Sequence, residues 1–425
     1  MNALWPLSDN NLADLRTWPT RHGGLLRVVV VLLIPVAVVR MAYGWWRLVA
    51  MPPPEGAYDL RLLYAAVQQW FAGLPVYTYI DHSGYPPASL VMLWPLLGWV
   101  GEWQARWLWA ITALIALGGF ALLLIKATDV RTRAERLVVV LGLISIYPTG
   151  ILIGNGQFAL HLLPILILGL VLIKPERQPT WQTDVVAALL LLLALVKPSL
   201  TIPFYWLVLF LPGRIRPMTL VGSGYVLLTI LAAPFQREPL WAQFHDLFVW
   251  DSFAVSTHGN ADVAFWLRFF GLQGTIMFAS LGILLIFGLW VSKNRHVDFW
   301  VLMGVGAIVA RMWTYHMMYD DLLIVLPMIA LFRIARNDSL ADNRNVIAGL
   351  LLVITWAALE APASLARLPL PWNLVYNVGQ TLIWLVDLFF LIDCSRRQKK
   401  ARLISTALNR DQQQSVTGSL AELTR

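Results

Sequence analysis

One carboxylate follows closely after the first long apolar run of the chain. Asp59 is the second residue of the stretch Tyr58 to Phe71, whose apolar residues recur at helical spacing and predict an amphipathic helix on a membrane surface. A carboxylate in the first turn of such a helix is favoured by the helix dipole and is held at the water boundary. Asp59 could therefore act as a catalytic base, as a helix cap, or as both.

Amide and amine side chains interrupt two further apolar runs. Asn155 and Gly156 form a strong turn signal, whereas Gln157 enters the next apolar run, where its amide needs a partner and could donate to a ligand. Lys197 lies within the apolar run 185–211, directly before a proline. A cation there could bind a phosphate, or its amine could extend to the membrane interface.

Ionisable residues also cluster late in the chain. The stretch RMWTYHMMYDDLLIVLP contains Arg311, His316, Asp320 and Asp321, and His258 lies in the polar segment before it. An arginine and a histidine beside aromatic residues could hold an anionic headgroup. Histidines and aspartates also suggest a metal site, but their spacing matches no recognised ligand pattern, so we expect neither a metal nor another cofactor.

The composition indicates that membrane-embedded helices carry these residues. The 425 residues are 58% hydrophobic and 13% charged, which gives more apolar surface than one soluble core could bury. The net charge of +8 comes from short basic runs between apolar segments, so it favours an orientation signal over nucleic-acid binding. A single cysteine, Cys394, excludes an intrachain disulfide.

Apolar runs of about 20 residues predict the membrane spans. They fall near 25–50, 107–125, 137–153, 158–173, 183–197, 199–212, 217–233, 274–292, 298–310, 322–333, 346–360 and 376–393. The predicted fold is therefore an all-α, polytopic transmembrane helical bundle with about twelve spans. Several runs are short, and some could be half-spans that line a cavity.

Lysine and arginine set the expected orientation of the bundle. If the segment Tyr85 to Val100 crossed the membrane, the four cations between 126 and 136 and nearly every later basic loop would lie outside. If it lies along the outer interface, most basic loops and both termini are cytoplasmic. We therefore expect a multi-pass plasma-membrane protein with its functional residues on the extracytoplasmic side.

The same orientation divides the chain into three parts. We expect a cytoplasmic segment at 1–24, a membrane domain at 25–394 and a basic cytoplasmic tail at 395–425. The long outer segments are 51–106, with interfacial helices, and 234–272. Long loops on a rigid scaffold commonly carry function, and most of the candidate residues lie in or beside these outer segments.

Three motifs occur in an order that resembles glycosyltransferase family 87, the polyprenyl-phosphate-mannose-dependent mannosyltransferase-like group of the GT-C superfamily. They are Asp59 with Tyr64, Gly73 and Tyr85-Pro86-Pro87 in the first outer loop, Asn155-Gly156-Gln157, and Ala194-Leu195-Val196-Lys197-Pro198. The resemblance covers about residues 25 to 335. The stretch Trp313 to Asp321 departs from the double-histidine form of mycobacterial relatives, which leaves the donor sugar and the acceptor open.

The resemblance implies an inverting membrane glycosyltransferase that uses a polyprenyl-phosphate-linked sugar and a lipid or glycan acceptor. It implies that Asp59 is the catalytic base. Cations for the departing phosphate would come from Lys197, Arg311 and His316. The residues expected to bind substrate or shape the site are Tyr64, Tyr85, Pro86, Pro87, Asn155, Gln157, His258, Asp320 and Asp321.

Two other classes of protein remain as alternatives. A transporter or flippase of a lipid-linked sugar would use a polar cavity without breaking a bond, and it would need polar residues deep on both sides of the membrane midplane. Here the candidates cluster on the expected outer side, which favours the enzyme. In a membrane-embedded scaffold protein, the polar clusters on the outer side would have no function.

Overall fold

The computed structural model describes residues 18–79, 84–174, 176–211, 215–337, 343–361, 364–365 and 368–423. Within these ranges the chain is helical and contains no strand, which confirms the predicted all-α class. Residues 1–17 of the predicted segment 1–24 lie outside the described ranges, and residues 18–24 belong to the first helix.

The helices are labelled here in chain order. They are α1 (Trp18–Trp45), α2 (Tyr58–Phe71), α3 (Val76–Tyr79), α4 (Pro87–Leu97), α5 (Glu102–Thr128), α6 (Arg133–Ser145), α7 (Tyr147–Asn155), α8 (Ala159–Leu172), α9 (Trp181–Ala194), α10 (Pro198–Thr201), α11 (Tyr205–Phe210), α12 (Ile215–Ala232), α13 (Leu240–Thr257), α14 (Val263–Phe269), α15 (Ile276–Asn294), α16 (Phe299–Met312), α17 (Val325–Ala335), α18 (Arg344–Glu360) and α19 (Trp372–Leu423). A π-helical turn (Trp46–Ala50) continues α1, and 3₁₀ helices cover Ile202–Phe204, Ala233–Phe235, Gln273–Thr275 and Met318–Ile324.

Several helices are long and apolar enough to cross a membrane. In the described part of the chain these are Gly24–Ala50, Glu102–Thr128, Ile215–Phe235, Gln273–Asn294 and Trp372–Lys400. The pair α6 and α7 gives a sixth candidate, bent by 53° between its two halves. The described part of the chain therefore has five or six helices able to span a bilayer.

The predicted number of twelve spans is not confirmed. Shorter apolar helices of 10–17 residues lie at other predicted positions, among them α8, α9 and α16. At 1.5 Å per residue, a 14-residue helix is only about 21 Å long. The predicted span 137–153 is broken at Ile146, whose extended backbone (ψ 142°) separates α6 from α7. The predicted boundary at 394/395 is no structural break, because α19 continues through it.

A charged pair connects two of the apolar helices. Arg40, inside the first span, donates a 2.6 Å hydrogen bond to the carbonyl oxygen of Glu360 at the end of α18, and its guanidinium lies 3.7 Å from the Glu360 carboxylate. The Glu360 carboxylate also accepts a hydrogen bond from Ser145. The charge of an arginine inside an apolar span is thus compensated by a carboxylate from another helix.

A buried arginine fastens the first loop to the bundle. Arg106, near the start of α5, donates to the carbonyl oxygens of Leu48 (2.6 Å) and Met51 (2.7 Å). Space is so tight here that a Cβ on Gly56 would lie 2.0 Å from the Met51 oxygen. Ala57 then adopts a left-handed conformation (φ 49°) that begins α2. These contacts fix the position of the first turn of α2.

Candidate functional site

A polar cavity of about 340 Å³ lies where α2, α13, the α7–α8 junction, the start of α10 and the segment 315–320 meet. Its lining brings together residues that are far apart in sequence. They are Tyr58, Asp59, Gly84, Tyr85, Asn155, Gln157, Lys197, Ser199, Trp250, Ala254, His258, Tyr315, His316, Met317, Tyr319 and Asp320.

Asp59 is the second residue of α2 and points into this cavity. One carboxylate oxygen accepts a 2.8 Å hydrogen bond from the Asn155 side chain. The N-cap of α2 is Ala57, and no side chain among the described residues caps this helix end. The interpretation of Asp59 as a helix cap is therefore wrong, and its carboxylate faces the cavity instead.

The turn after α7 positions the amide partner of Asp59. Gly156 ends the helix with a left-handed backbone (φ 70°), which confirms the turn predicted from the Asn-Gly pair. A Cβ at Gly156 would lie 2.5 Å from the Cβ of Leu60, so α7 and α2 meet at closest approach beside Asp59. Glycine is therefore required here both for conformation and for space.

Gln157 follows that turn and has its predicted need for a partner met by Tyr319. Its amide nitrogen donates a 2.9 Å hydrogen bond to the Tyr319 hydroxyl, while its buried amide oxygen has no hydrogen-bond partner in the part of the chain that the structure describes. Burial raises the pKa of Asp59, and hydrogen bonds from Asn155 and Gln157 and the charge of Lys197 offset only part of this rise. A carboxylate with a raised pKa is a stronger proton acceptor than an ordinary aspartate.

A second group of charges shares the cavity with Asp59. The Lys197 amine donates to one oxygen of Asp320 at 2.8 Å, and the other oxygen lies 3.1 Å from Nδ1 of His316. Burial alone would raise the pKa of Asp320, but Lys197 and His316 outweigh it and hold the pKa well below its ordinary value. Asp320 thus stays ionised and fixes the Lys197 amine and the His316 ring.

His316 presents one ring nitrogen that no described protein group satisfies. Its backbone N–H donates to Asp262 at 2.8 Å, and its Nδ1 faces Asp320. The residue is buried and lines the cavity, yet Nε2 has no hydrogen-bond partner among the described residues. A buried polar atom of this kind is available to a ligand, and a protonated Nε2 could donate to an oxyanion.

Arg311 and Asp321 form a separate, fully buried ion pair. Both side chains are 0% exposed, and the Asp321 carboxylate accepts from Arg311 and from Tyr147. Arg311 also donates to the carbonyl oxygen of Asn260 at 2.8 Å. Neither residue lines the cavity. Sequence reasoning placed Arg311 beside the donor phosphate, but in the structure its charge is compensated by Asp321 away from the cavity.

Other candidates lie around the cavity rather than in it. The Tyr64 hydroxyl donates to the carbonyl oxygen of Val100 at 3.0 Å, and Pro86 and Pro87 begin α4. The structure therefore brings together, of the residues proposed from the sequence, Asp59, Tyr85, Asn155, Gln157, Lys197, His258, His316 and Asp320. It leaves Tyr64, Pro86, Pro87, Arg311 and Asp321 outside the lining.

Apart from Tyr85, sequence reasoning missed the aromatic part of the lining. Tyr58, Tyr315 and Tyr319 contribute to the cavity, as does Trp250 from the second long loop. Each of these aromatic residues is a direct neighbour of a polar residue in the sequence or lies three residues from one. That proximity was the sequence signal that could have identified them as lining residues. In a membrane protein, however, tyrosine and tryptophan are also typical of interfaces, so their types did not distinguish the two roles.

In the described residues no group of three or more His, Cys, Asp or Glu side chains is arranged to hold a metal ion. Comparison of the chain with models of protein families, with curated proteins and with solved structures gave no match.

Proposed function

We propose that this chain is an integral membrane glycosyltransferase that moves mannose or a related sugar from a polyprenyl-phosphate donor to a lipid or glycan acceptor. The single observation that carries the proposal is the cavity in which Asp59 faces the group formed by Lys197, Asp320 and His316. A proton acceptor on one side and cationic groups on the other are what transfer from a phosphate leaving group requires. The sequence resemblance described above supplies the reaction class.

In the proposed reaction the acceptor hydroxyl oxygen forms a bond to the anomeric carbon while the bond from that carbon to the phosphate oxygen breaks. The Asp59 carboxylate takes the hydroxyl proton, and the bonding electron pair leaves on the polyprenyl phosphate. Attack opposite the leaving group inverts the anomeric configuration. Lys197 and His316 stabilise the charge that develops on the phosphate, while Asp320 positions both.

The proposed placement in the membrane follows the distribution of cations along the sequence. The cavity then opens on the extracytoplasmic side, both termini are cytoplasmic, and α2 and α4 lie at the outer interface. The shorter apolar helices would complete the predicted count of about twelve spans as half-spans or tilted segments inside the bundle.

The test is sugar transfer by the purified protein from radiolabelled polyprenyl-phosphate-mannose to acceptors extracted from membranes. Asp59→Asn keeps size and hydrogen-bonding capacity but cannot take a proton, so turnover should fall by about 100-fold to 10,000-fold. Asp246→Asn is the matched control, because Asp246 lies outside the cavity lining and pairs with His245. Transfer by a well-folded Asp59→Asn protein at the parent rate would remove Asp59 from the mechanism.

The same experiment separates the enzyme from the flippase alternative. A flippase of a lipid-linked sugar would bind the labelled donor in the cavity and return it intact, with no new glycoside in any fraction. Donor binding without transfer in the parent protein, together with movement of donor across reconstituted vesicles, would favour the flippase.

A further inference from the structure

A row of buried polar side chains runs along the inward face of α19. The row consists of Asn377, Gln380, Trp384 and Asp387, which follow one another at intervals of three or four residues and are at most 3% exposed. Residues at this spacing lie above one another on a helix, with Cβ atoms about 5–6 Å apart. The row therefore extends from near the start of α19 into the middle of the candidate span Trp372–Lys400.

Each member of the row has a buried atom without a hydrogen-bond partner in the described part of the chain. These atoms are Asn377 Oδ1, Gln380 Oε1, Trp384 Nε1 and Asp387 Oδ1. Buried polar atoms are rarely left without a partner, and buried water commonly supplies it. One water that makes two hydrogen bonds of about 2.8 Å bridges a gap of about 5–6 Å. The steps of the row therefore have the length that single bridging waters span.

Asp387 is the ionisable member of the row and lies deepest in the candidate span. At 1.5 Å per residue it lies about 22 Å along the helix from Trp372 and about 20 Å from Lys400. Thr355 of α18 donates a 2.7 Å hydrogen bond to one of its oxygens. An ionised carboxylate at this depth is costly unless an opposite charge compensates it.

No described charge compensates Asp387. The helices in closest contact with α19 are α16, α17 and α18. Their charged side chains are engaged in other contacts, which are Arg311 with Asp321, Arg333 with the carbonyl oxygen of Ala127, Arg344 with Asp393, and Glu360 with Arg40. A bound proton is therefore the charge that neutralises the Asp387 carboxylate.

The other end of the row joins a hydrogen-bonded network beside the cavity. The Gln380 amide donates at 2.8 Å to the hydroxyls of Tyr147 and Tyr376, and the Tyr147 hydroxyl donates to Asp321. Tyr376 is half-buried near the start of α19. Hydroxyl groups both donate and accept hydrogen bonds, so this network can pass a proton to the row from the cavity side.

The row ends beyond Asp387 at an apolar contact. Leu391, one turn further along α19, is fully buried, and a Cβ on Gly304 of α16 would lie 3.0 Å from its side chain. A contact this tight excludes water. The row is therefore connected to polar groups at the end near the cavity and closed at the other end.

We infer that Asp387 is a proton-binding site inside the membrane, and that the row on α19 is the path by which protons reach it from the cavity side. The proton passes along the row to Oδ1 of Asp387 and leaves the carboxyl neutral, while Thr355 keeps its hydrogen bond to the other oxygen. Acidic side chains inside membrane spans commonly serve as such proton sites. The inference does not rest on sugar transfer, because no member of the row lines the cavity.

Infrared spectroscopy of the full-length protein in lipid nanodiscs tests the site and its path. The difference between the parent and Asp387→Asn should show the C=O band of a protonated carboxyl at neutral pH, and the band should shift in D₂O. Asparagine keeps an oxygen for Thr355, so this variant should fold. Trp384→Phe removes the indole N–H from the row and should slow the exchange by about tenfold. Trp109→Phe on α5 is the matched control and should exchange like the parent.

Two results of this experiment would overturn the inference. Absence of the difference band would show that Asp387 holds no proton. Equal exchange in Trp384→Phe and the parent would show that protons do not reach Asp387 along the row.

Proton flux gives a second measurement, which a purely structural bond between Asp387 and Thr355 would not affect. Leu391→Ser replaces the apolar contact by a hydroxyl and continues the row along α19. In proteoliposomes with an internal pH dye and a potassium diffusion potential, this variant should show a proton leak that the parent and Leu391→Ser/Asp387→Asn lack. Leu382→Ser changes an exposed position of the same helix and should not leak. An equal leak with and without Asp387 would contradict the assignment.

Discussion

At the scale of single residues, the most informative feature is that one carboxylate is tuned by neighbours from three different elements. Burial raises the pKa of Asp59, while Asn155 and Gln157 donate hydrogen bonds that lower it. The amide partners therefore adjust the pKa of Asp59, and they can be substituted without removing the carboxylate.

We expect the acidic limb of the transfer rate to report on Asp59. The deprotonated carboxylate is the active form, so kcat/KM should fall as the pH drops through its raised pKa. Asn155→Ala removes a hydrogen bond that favours the charged form, so the limb should move to higher pH. Burial also raises the pKa of Asp251, beside the cavity, to about 7. In Asp251→Asn the acidic limb should stay at the same pH. If the limb disappears in that variant, it belongs to Asp251.

Two of the three cations proposed from the sequence, Lys197 and Arg311, should behave differently when neutralised. Lys197→Met should lower the affinity for donor and the rate of transfer, while the folded protein remains. Arg311→Met leaves Asp321 buried and unpaired, so it should destabilise the protein by about 3–5 kcal/mol. Thermal unfolding in detergent and donor binding measure both effects. A stable Arg311→Met protein with weakened donor binding would return Arg311 to the phosphate site.

The neighbouring residues Asp320 and Asp321 show what sequence alone could and could not resolve. Their types and position predicted a charged cluster, and the cluster exists. A 3₁₀ helix has three residues per turn, so adjacent side chains diverge by about 120°, and one carboxylate meets Lys197 while the other meets Arg311. Which carboxylate pairs with Lys197 and which with Arg311 depends on the rotation of that helix about its axis. Residue spacing in the sequence does not predict this rotation.

At the scale of elements, the contact between α2 and α7 determines how Asp59 meets Asn155. Gly156→Ala places a Cβ against Leu60 in a left-handed conformation that costs about 1–2 kcal/mol. We expect α2 to shift, and transfer to fall by more than tenfold. Gly118→Ala is the control, because beyond the backbone of its own helix no described atom lies within 4 Å of a Cβ there. Equal activity of both variants would show that the α2–α7 distance does not set the rate.

The helices themselves were predictable where they are apolar throughout and less so where they bend. Glu102–Thr128 and Gln273–Asn294 lie on predicted spans, since a long apolar run permits little else. Pro148, in the first turn of α7, lacks the N–H that would continue the hydrogen bonding of α6, so it marks the break at Ile146. Beyond the break α7 packs against the 3₁₀ helix Met318–Ile324, a contact between segments far apart in sequence. A short apolar run therefore predicts that a helix is present better than it predicts where that helix bends.

At the scale of the whole molecule, the orientation of the bundle can be measured with single cysteines. Cys394→Ser provides a background without cysteine, since Cys394 is the one cysteine in the sequence. A cysteine at Ser252 on α13 should react with an impermeant thiol reagent added to intact cells. One at Gln178, before α9, should react after permeabilisation alone. The opposite result would reverse the membrane orientation and place the cavity on the cytoplasmic side.

The pairing of Asp321 with Arg311 also constrains how this chain can vary over evolution. Because Asp320 is the adjacent residue, the buried pair fixes the angle at which the cavity carboxylate meets Lys197 and His316. One residue inserted between Arg311 and Met318 would rotate Asp320 and Asp321 relative to their partners. The buried Arg311 guanidinium would then no longer face Asp321. We therefore expect orthologues to exchange residue types in this segment far more readily than they change its length.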